Sequence, residues 1–286
     1  GNFARREMAI RIVTDSSADL PSDIAERLNI TVIPCNVVVG DVSYKDGVDI
    51  SPDELYGHLA AGINYPTTSQ PSAADFQSVY TALADQGHSI LSIHVSGKLS
   101  GTLNSAEQAK ASMGDRAEIQ IVDSQLASIS LGLVVLAAAE LAEKDLPLAD
   151  VASKVAGSLP LTKCYFLLDT LEYLQKGGRI GKAQTFVGSI LNVKPILGME
   201  DGEAVPIERA RNRQRGLRRL LELARQAAPL TQLAVIHSND SLLAQGLRQE
   251  LSELLPEDQI VSARFGATLG TYIGPGAVGL ALTRAG

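Results

Sequence analysis

Short apolar runs alternate with helix-like segments through the first half of this 286-residue chain. Residues 10–13, 90–95 and 119–122 are apolar and rich in β-branched side chains, which is typical of buried strands. The segments between them have the spacing of amphipathic helices. This order predicts βαβ units, and therefore a parallel sheet with helices on both faces. In such sheets, ligands bind outside the carboxyl ends of the strands.

The second half of the chain has a different pattern. Residues 195–199 and 204–207 flank Asp201-Gly202, which is a strong signal for a β-hairpin. Two strand–helix units and a Gly-rich final strand follow, so we expect a mixed sheet with helices on one face. A boundary at Leu159-Pro160 divides the chain into predicted domains of residues 8–160 and 161–286.

Hydroxyl-bearing residues are concentrated in turns that follow or adjoin the predicted strand ends. Residues 67–72 read Thr-Thr-Ser-Gln-Pro-Ser, and residues 96–102 read Ser-Gly-Lys-Leu-Ser-Gly-Thr. Ser72 begins a capping-box pattern, which leaves Thr68 and Ser69 beside a helix N-terminus whose free N–H groups favour anions. Helix capping explains any single hydroxyl equally well. The surplus on two adjacent turns favours a site for one small acidic group.

Charge and composition argue against several classes of function. Residues 1–160 carry 10 Lys and Arg against 20 Asp and Glu, whereas residues 161–286 carry 15 against 12. Such a small basic excess, with few aromatic residues, argues against a nucleic-acid-binding protein. The longest apolar run, residues 131–139, is too short to span a bilayer. We therefore expect a cytoplasmic protein that neither inserts stably into membranes nor binds nucleic acid.

The sequence lacks the motifs of common catalytic and metal sites. It contains no P-loop, no nucleophile elbow and no cluster of His and Cys with the spacing of metal ligands. Cys35 and Cys164 lie in apolar, strand-like contexts, so we expect buried thiols rather than a disulfide. The sequence thus predicts no catalytic residue, no metal and no cofactor.

Six motifs together resemble the DegV family, the bacterial fatty-acid-binding proteins. The resemblance covers residues 10–282 and keeps the motifs in the family's order. They are Val13-Thr14-Asp15-Ser16-Ser17-Ala18-Asp19-Leu20, Thr68-Ser69-Gln70-Pro71-Ser72, Leu99-Ser100-Gly101-Thr102, Val122-Asp123-Ser124, Leu171-Glu172-Tyr173-Leu174 with Lys176-Gly177-Gly178-Arg179-Ile180, and Gly274-Pro275-Gly276. The resemblance implies an α/β protein of two domains, a three-layer α/β/α parallel-sheet domain followed by a two-layer mixed-sheet α/β domain.

The resemblance also implies a ligand and the residues that hold it. One long-chain fatty acid is expected between the two domains, with its carboxylate held by the Ser/Thr loops. The implied head-group residues are Thr68, Ser69, Ser96, Gly97, Arg179 and Tyr272. Family members often have a second Ser at the position of Gly97, so Ser96 or the Gly97 N–H is expected to substitute for its hydroxyl. They also often have a His at the position of Tyr272. The apolar slot is expected to be lined by Phe166, Leu168, Phe186 and Ile190.

Better-studied members of the family present the bound acid to a kinase, which makes an acyl phosphate for phospholipid synthesis. By resemblance, we expect a non-enzymatic carrier whose partner is a fatty acid kinase. A row of arginines within residues 209–219 is either a docking face for an acidic partner or a solvated helix face. The alternative function is a small-molecule kinase or transferase related to the substrate-binding subunit of dihydroxyacetone kinases.

Overall fold

The computed structural model describes residues 9–188 and 193–286. The strands are β1 (Ile10–Asp15), β2 (Thr31–Ile33), β3 (Asn36–Val39), β4 (Val42–Lys45), β5 (Thr67–Ser69), β6 (Ser89–His94), β7 (Ile119–Asp123), β8 (Thr162–Leu167), β9 (Lys194–Glu200), β10 (Glu203–Ala210), β11 (Leu230–His237), β12 (Ile260–Arg264) and β13 (Val278–Arg284). The helices are α1 (Ser22–Arg27), α2 (Pro52–Ala61), α3 (Ala73–Asp85), α4 (Thr102–Met113), α5 (Ile129–Ala142), α6 (Leu148–Ser158), α7 (Glu172–Lys176), α8 (Arg213–Ala227), α9 (Ser241–Leu251) and α10 (Ala267–Ile273).

Strands β2, β1, β6 and β7 form a four-stranded sheet in that order, and each neighbouring pair is parallel. Successive side chains of a strand point to opposite faces. Ile12 belongs to a core cluster with Leu131 of α5, whereas the next residue, Val13, belongs to a separate cluster with Phe76 of α3. Helices therefore cover both faces of the sheet, which confirms the predicted three-layer parallel-sheet architecture.

Strands β10, β9, β8, β13, β11 and β12 form a six-stranded mixed sheet. The pair β11–β12 is parallel and the other neighbouring pairs are antiparallel. On one face, Leu167 clusters with Leu220 of α8. On the opposite face, Phe166 clusters with Leu133 of α5, so this face of the sheet packs toward the first half of the chain. The predicted mixed sheet is confirmed, and the domain boundary after residue 160 stays a prediction.

The three-stranded antiparallel sheet β4–β3–β5 was not anticipated from the sequence. Residues 30–39 form one apolar run in the sequence, but the structure divides the run around Pro34 into β2 and β3, which belong to different sheets. Residues 67–69, expected in a turn, form β5 because their backbone pairs with β3. This pairing fixes the direction in which Thr68 points.

Two further elements differ from expectation. In the sequence, the spacing of Phe186, Val187, Ile190 and Leu191 predicts a helix over residues 182–192. The chain instead forms a 3₁₀-helix over Gly181–Phe186, and residues 189–192 lie outside the described part of the structure. No helix or strand was predicted over residues 267–273, which form α10. No helix among the described residues has the length and hydropathy that a membrane crossing needs.

Candidate functional site

A cavity lies between the six-stranded sheet and the carboxyl ends of the parallel strands. Ser17 and Val95, which follow β1 and β6, line one side, and Phe166 and Leu197 of the six-stranded sheet line the other. Counting the mouth that opens to solvent, the cavity holds about 900 Å³ of atom-free space. The position agrees with the expectation that ligands bind at the strand ends of such sheets.

Most of the cavity wall is apolar. Its large apolar side chains are Leu99, Phe166, Leu168, Leu174, Leu197, Met199, Leu269 and Ile273. Phe166 is held by an edge-to-face contact with Phe265, with the ring centres 5.2 Å apart. The small residues Ala127, Gly198 and Ala204 also contribute to the wall and keep the space open. The structure therefore places Phe166 and Leu168, both predicted to line the slot, on the cavity.

Thr68 and Tyr272 meet at the cavity, although 204 residues separate them in the sequence. The Thr68 Oγ1 and Tyr272 hydroxyls share a hydrogen bond in which either oxygen can be the donor. One hydroxyl of the pair can therefore hold the other while the remaining O–H points at a ligand. Ser69, the next residue of β5, also lines the cavity.

Arg179 supplies positive charge to the same part of the cavity. Its Nε donates to the carbonyl oxygen of Leu99 at 2.8 Å, and its Nη1 donates to that of Gly177 at 2.9 Å. The guanidinium carbon lies 5.6 Å from the centre of the Tyr272 ring. Because these contacts fix the guanidinium group beside the Thr68–Tyr272 pair, an anionic group bound there is attracted electrostatically.

The hydroxyl of Ser96 is not directed to the cavity, contrary to its predicted role. Ser96 is fully buried, and its Oγ donates to the carbonyl oxygen of Gly202 at 2.6 Å. The same Oγ accepts from the backbone N–H of Lys98 at 3.3 Å. Gly202 sits at the turn of the β9–β10 hairpin with φ of +82°, where glycine is favoured. The hydroxyl of Ser96 thus joins the two halves of the chain.

Gly97 is also directed elsewhere, since its N–H donates to Asp123 Oδ1 at 3.3 Å. Ser100, four residues after Ser96, is the hydroxyl of this turn that lines the cavity. Ser100 Oγ accepts from the N–H of Thr102 at 3.1 Å, so part of its hydrogen-bonding capacity stabilises the start of α4. Of the two serines in this turn, the structure thus places Ser100 on the cavity wall and Ser96, the predicted one, away from it.

Phe186 does not line the cavity. It packs against the core cluster that contains Phe166, and the guanidinium carbon of Arg209 lies 4.8 Å from its ring centre. Ile190, the other predicted residue of the slot, lies outside the described residues. The row of arginines begins beside Phe186 and continues into α8, which covers the face of the six-stranded sheet opposite to the cavity.

A buried polar network lies beneath the cavity and was not anticipated. Asp15 Oδ1 accepts from the hydroxyl and the N–H of Ser17, and Asp15 Oδ2 accepts from His94 Nδ1, with the two atoms 2.8 Å apart. Burial alone raises the pKa of Asp15, but the hydrogen bond and charge of His94 outweigh it, and the pKa is lowered. Asp15 therefore fixes Ser17, which lines the cavity. The Ser/Thr-rich sequence after β1 was the available signal.

In the same network, His94 links Asp15 to Ser92, as the histidine of a nucleophilic triad links an acid to a serine. The serine, however, is not accessible to a substrate. His94 Nε2 lies 2.6 Å from Ser92 Oγ, and the Tyr80 hydroxyl donates to Ser92 Oγ at 2.7 Å. A serine nucleophile must reach its substrate. Ser92 is fully buried within β6 and does not line the cavity, so the arrangement is a structural network. Cys35 and Cys164 are buried free thiols, as predicted.

A further pocket, called the outer pocket below, adjoins the polar part of the cavity. Thr68, Arg179 and Tyr272 line both spaces. Tyr65 and Lys176 contribute to the outer pocket, with Lys176 Nζ 3.7 Å from the centre of the Tyr65 ring. Both of these side chains are exposed. The Thr68–Tyr272 pair therefore stands between the apolar cavity and the molecular surface.

Comparison with known proteins agrees with this architecture. The family described as uncharacterised protein, DegV family, matches residues 9–285. Protein DegV of Bacillus subtilis is 34% identical over 278 residues, which cover 96% of this chain and 98% of the relative. A DegV domain-containing protein of Deinococcus radiodurans is 35% identical over 281 residues, covering 96% of this chain and 98% of the relative.

Solved structures give the same result. A fatty-acid-binding DegV family protein from Thermus thermophilus superposes with a TM-score of 0.90 at 36% identity, covering 97% of this chain and 100% of that one. DegV of Bacillus subtilis, a fatty acid binding protein, has a TM-score of 0.87 at 34% identity, with coverage of 97% and 100%. A stearic-acid-binding protein of Eubacterium ventriosum has a TM-score of 0.87 at 27% identity, with coverage of 96% and 97%. The chain therefore belongs to the DegV family.

Proposed function

We propose that this protein binds one long-chain fatty acid in the cavity between its four-stranded and six-stranded sheets. The observation that carries the proposal is an apolar cavity with two hydroxyls and a guanidinium group at its polar part: Thr68, Tyr272 and Arg179. The Thermus thermophilus and Bacillus subtilis relatives are described as binding fatty acids. An extended apolar tail with one anionic end matches the distribution of polar groups around the cavity.

The energetics of such a complex are favourable. Burial of one CH₂ group contributes about 0.8 kcal/mol, so a chain of roughly 16 carbons offers on the order of 12 kcal/mol. Loss of translational and rotational freedom opposes this by about 4 kcal/mol or more. The remainder is large enough for the ligand to survive purification of the protein.

The head group needs hydrogen bonds because an unpaired buried carboxylate costs several kcal/mol. We assign this role to Thr68, Ser69, Ser100 and Tyr272, with Arg179 providing the compensating charge. Ser100 replaces Ser96 in this assignment, because the Ser96 hydroxyl is bound to Gly202. Tyr272 donates a hydrogen bond without adding charge, which leaves Arg179 as the cation we assign to the head group.

We further propose that the protein is a cytoplasmic carrier rather than an enzyme, and that it presents the acid to a fatty acid kinase for acyl-phosphate formation in phospholipid synthesis. The outer pocket supports this, since Thr68, Arg179 and Tyr272 line it as well as the cavity. A carboxylate held by these residues lies close to the surface, where a partner's active site can reach it. The outer pocket, rather than the arginine row, is the proposed face for the partner, because α8 covers the opposite side of the six-stranded sheet.

The test is organic extraction of the purified protein, followed by mass spectrometry, and rebinding of the identified acid to the delipidated protein. We expect one equivalent of a long-chain fatty acid, and no heat of binding when ATP is titrated into the protein by calorimetry. Saturable ATP binding together with failure to bind fatty acids of any chain length would favour the kinase or transferase alternative. Incubation of the loaded protein with a fatty acid kinase and ATP, with detection of acyl phosphate, tests the presentation step separately.

A further inference from the structure

Helix α10 forms one wall of the cavity and is hydrogen-bonded to the first half of the chain. It belongs to the second half, and Thr268, Leu269, Tyr272 and Ile273 all line the cavity. The helix has seven residues, and Gly266 at its N-cap position has no side chain to cap the first turn. A helix this short is marginal by itself in water. Its position must therefore be set by groups outside the helix.

Two buried carboxylates from the first half of the chain cap this helix. Asp46 Oδ1 accepts from the N–H of Ala267 at 3.1 Å, and Asp46 Oδ2 accepts from the N–H and the hydroxyl of Thr268 at 3.3 and 2.7 Å. Asp19 Oδ1 accepts from the N–H of Gly266 at 2.9 Å. The first N–H groups of a helix have no partner within the helix, so these oxygen acceptors supply the hydrogen bonds that the first turn of α10 needs. These four bonds join positions more than 200 residues apart.

Asp19 is itself held in place by the first half of the chain. Its Oδ2 accepts from the Ser128 hydroxyl at 2.7 Å, just before α5. A Cβ atom at Gly266 would lie 2.9 Å from Asp19 Oδ1, so only glycine allows this approach without displacement. The carboxylates thus form a connection with defined geometry between the parallel-sheet half and the first turn of α10.

At the other end, α10 leads into a tight turn. Gly274 follows with φ of +76°, and a Cβ atom there would lie 2.4 Å from the Tyr173 ring. Gly276 has φ of +79°. Glycine is required at such positions, and the conformational freedom it brings makes the segment a suitable pivot. The neighbouring walls of the cavity lie on β8 and β9, which are interior strands of the six-stranded sheet. Displacing either strand would break two rows of backbone hydrogen bonds.

We infer that Asp46 and Asp19 are positioning residues that hold α10 closed over the proposed fatty-acid site and thereby set the rate of fatty-acid exchange. They act through α10 on Tyr272, whose hydroxyl meets Thr68 between the cavity and the surface. This inference rests on the proposed function. It assigns to the two carboxylates a role in the kinetics of the site, although neither of them contacts the Thr68–Tyr272 pair.

The experiment measures dissociation of cis-parinaric acid, a fluorescent long-chain fatty acid, from the delipidated and reloaded protein during a chase with unlabelled oleic acid. In Asp46→Asn, one oxygen becomes an N–H₂ group, which cannot accept from the N–H of Ala267 in one orientation or from the donors of Thr268 in the other. We expect its dissociation rate to rise by about tenfold or more, since changes at a binding site act mostly on dissociation. Thr268→Val removes one of the bonds, and Gly266→Ala displaces Asp19, so both should give smaller increases.

Two variants serve as controls. Asp49→Asn changes an exposed aspartate close to Asp46 in sequence, whose Oδ2 accepts from the N–H of Lys45, and should leave the rate within about twofold of the parent. Tyr80→Phe removes the buried hydrogen bond to Ser92 and lowers stability away from α10, so it separates a loss of stability from a loss of positioning. Its dissociation rate should also stay at the parent value.

The outcomes are distinguishable. Parent dissociation rates in folded Asp46→Asn, Thr268→Val and Gly266→Ala would overturn the inference and leave the proposed function intact. An equal acceleration in Tyr80→Phe would also overturn it, because the effect would then follow from stability alone. If Asp46→Asn does not fold, Thr268→Val and Gly266→Ala decide the question. Failure of the parent protein to bind cis-parinaric acid or oleic acid would instead refute the proposed function.

Discussion

Two hydroxyl-rich segments, residues 67–72 and residues 96–102, look equivalent in the sequence but differ in the structure. Thr68 in the first lines the cavity and shares a hydrogen bond with Tyr272, in which either hydroxyl can donate. Ser96 in the second is fully buried and donates to the carbonyl oxygen of Gly202. A carbonyl accepts and cannot donate, so the proton of Ser96 is committed to it.

The difference shows what makes a hydroxyl available to a ligand. Both segments provide hydroxyls near strand ends, and both begin helices. In the second, the β9–β10 hairpin brings a backbone carbonyl onto Ser96, and the hydroxyl becomes part of the contact between the two sheets. In the first, the partner is another hydroxyl, which can exchange its roles as donor and acceptor. Availability thus depends on the chemistry of the partner more than on position in the turn.

In the turn after β1, the polar side chains of Asp15 and Ser17 hydrogen-bond within the protein. A substitution there has the largest expected effect, which is on stability. Asp15→Asn breaks the buried pair with His94 and should destabilise the protein by about 3–5 kcal/mol at pH 7. The pKa of Asp15 is lowered from 3.8, so its stabilising contribution is complete well above that value and is lost as the pH falls below it, through the folded-state pKa. The difference between parent and variant in urea unfolding should therefore shrink as the pH is lowered from about 4.5 to about 2.5. A difference that stays constant in this range would contradict the assignment of an ionised Asp15.

Thr68→Val should produce the largest loss of fatty-acid affinity. It removes a hydrogen bond to a charged group, about 1.5–3 kcal/mol, which corresponds to roughly a 10- to 150-fold weaker Kd. Titration with a fluorescent fatty acid measures the effect. Thr67→Val is the matched control, since Thr67 is exposed on the same strand and lines the outer pocket rather than the cavity. Equal affinity of Thr68→Val and Thr67→Val would remove Thr68 from the head-group site.

Ser96→Ala should show the opposite pattern. Loss of its hydroxyl leaves the buried carbonyl of Gly202 and the N–H of Lys98 without this partner, which costs about 1–3 kcal/mol of stability. The affinity for fatty acid should not change, because the hydroxyl is committed to Gly202. Urea unfolding and ligand titration of the same preparation test both statements. A weaker Kd with unchanged stability would restore Ser96 to the role that the sequence predicted.

Ser100→Ala should give the smallest effect. We expect a loss of affinity of about 0.5–1.5 kcal/mol, or roughly two- to tenfold, because the Ser100 hydroxyl is already partly used by the N–H and hydroxyl of Thr102. The measurement is the same ligand titration. A loss equal to that of Thr68→Val would indicate that both segments contribute equally to the head-group site, as the sequence alone suggested.

Several features followed from local sequence. The alternation of apolar runs and helices predicted the parallel sheet, and Asp201-Gly202 predicted the hairpin between β9 and β10. The capping box that begins at Ser72 is present, with both of its hydrogen bonds formed. These signals are encoded within a few neighbouring residues, because helix caps and turns depend on short-range hydrogen bonds.

Other features could not be read from local sequence. Helix α10 was missed because it is short, contains Gly270, and is capped by Asp19 and Asp46 from the other half of the chain. The position of Ser100, rather than Ser96, on the cavity wall was missed because the hydrogen-bond partner of Ser96 lies 106 residues away. Neither the turn propensity nor the residue spacing of residues 96–102 indicates that the β9–β10 hairpin packs against Ser96.

By itself, the sequence determined the alternation of strands and helices in the parallel-sheet half, the family, and the segments that approach the cavity. The tertiary structure alone decided which hydroxyl in each segment is exposed to the cavity and which is used internally. The physical reason is the separation along the sequence over which each kind of interaction acts. Periodicity and capping act over a few residues, whereas the partner of a buried polar group is chosen by whichever distant segment packs against it and must satisfy its hydrogen bonds.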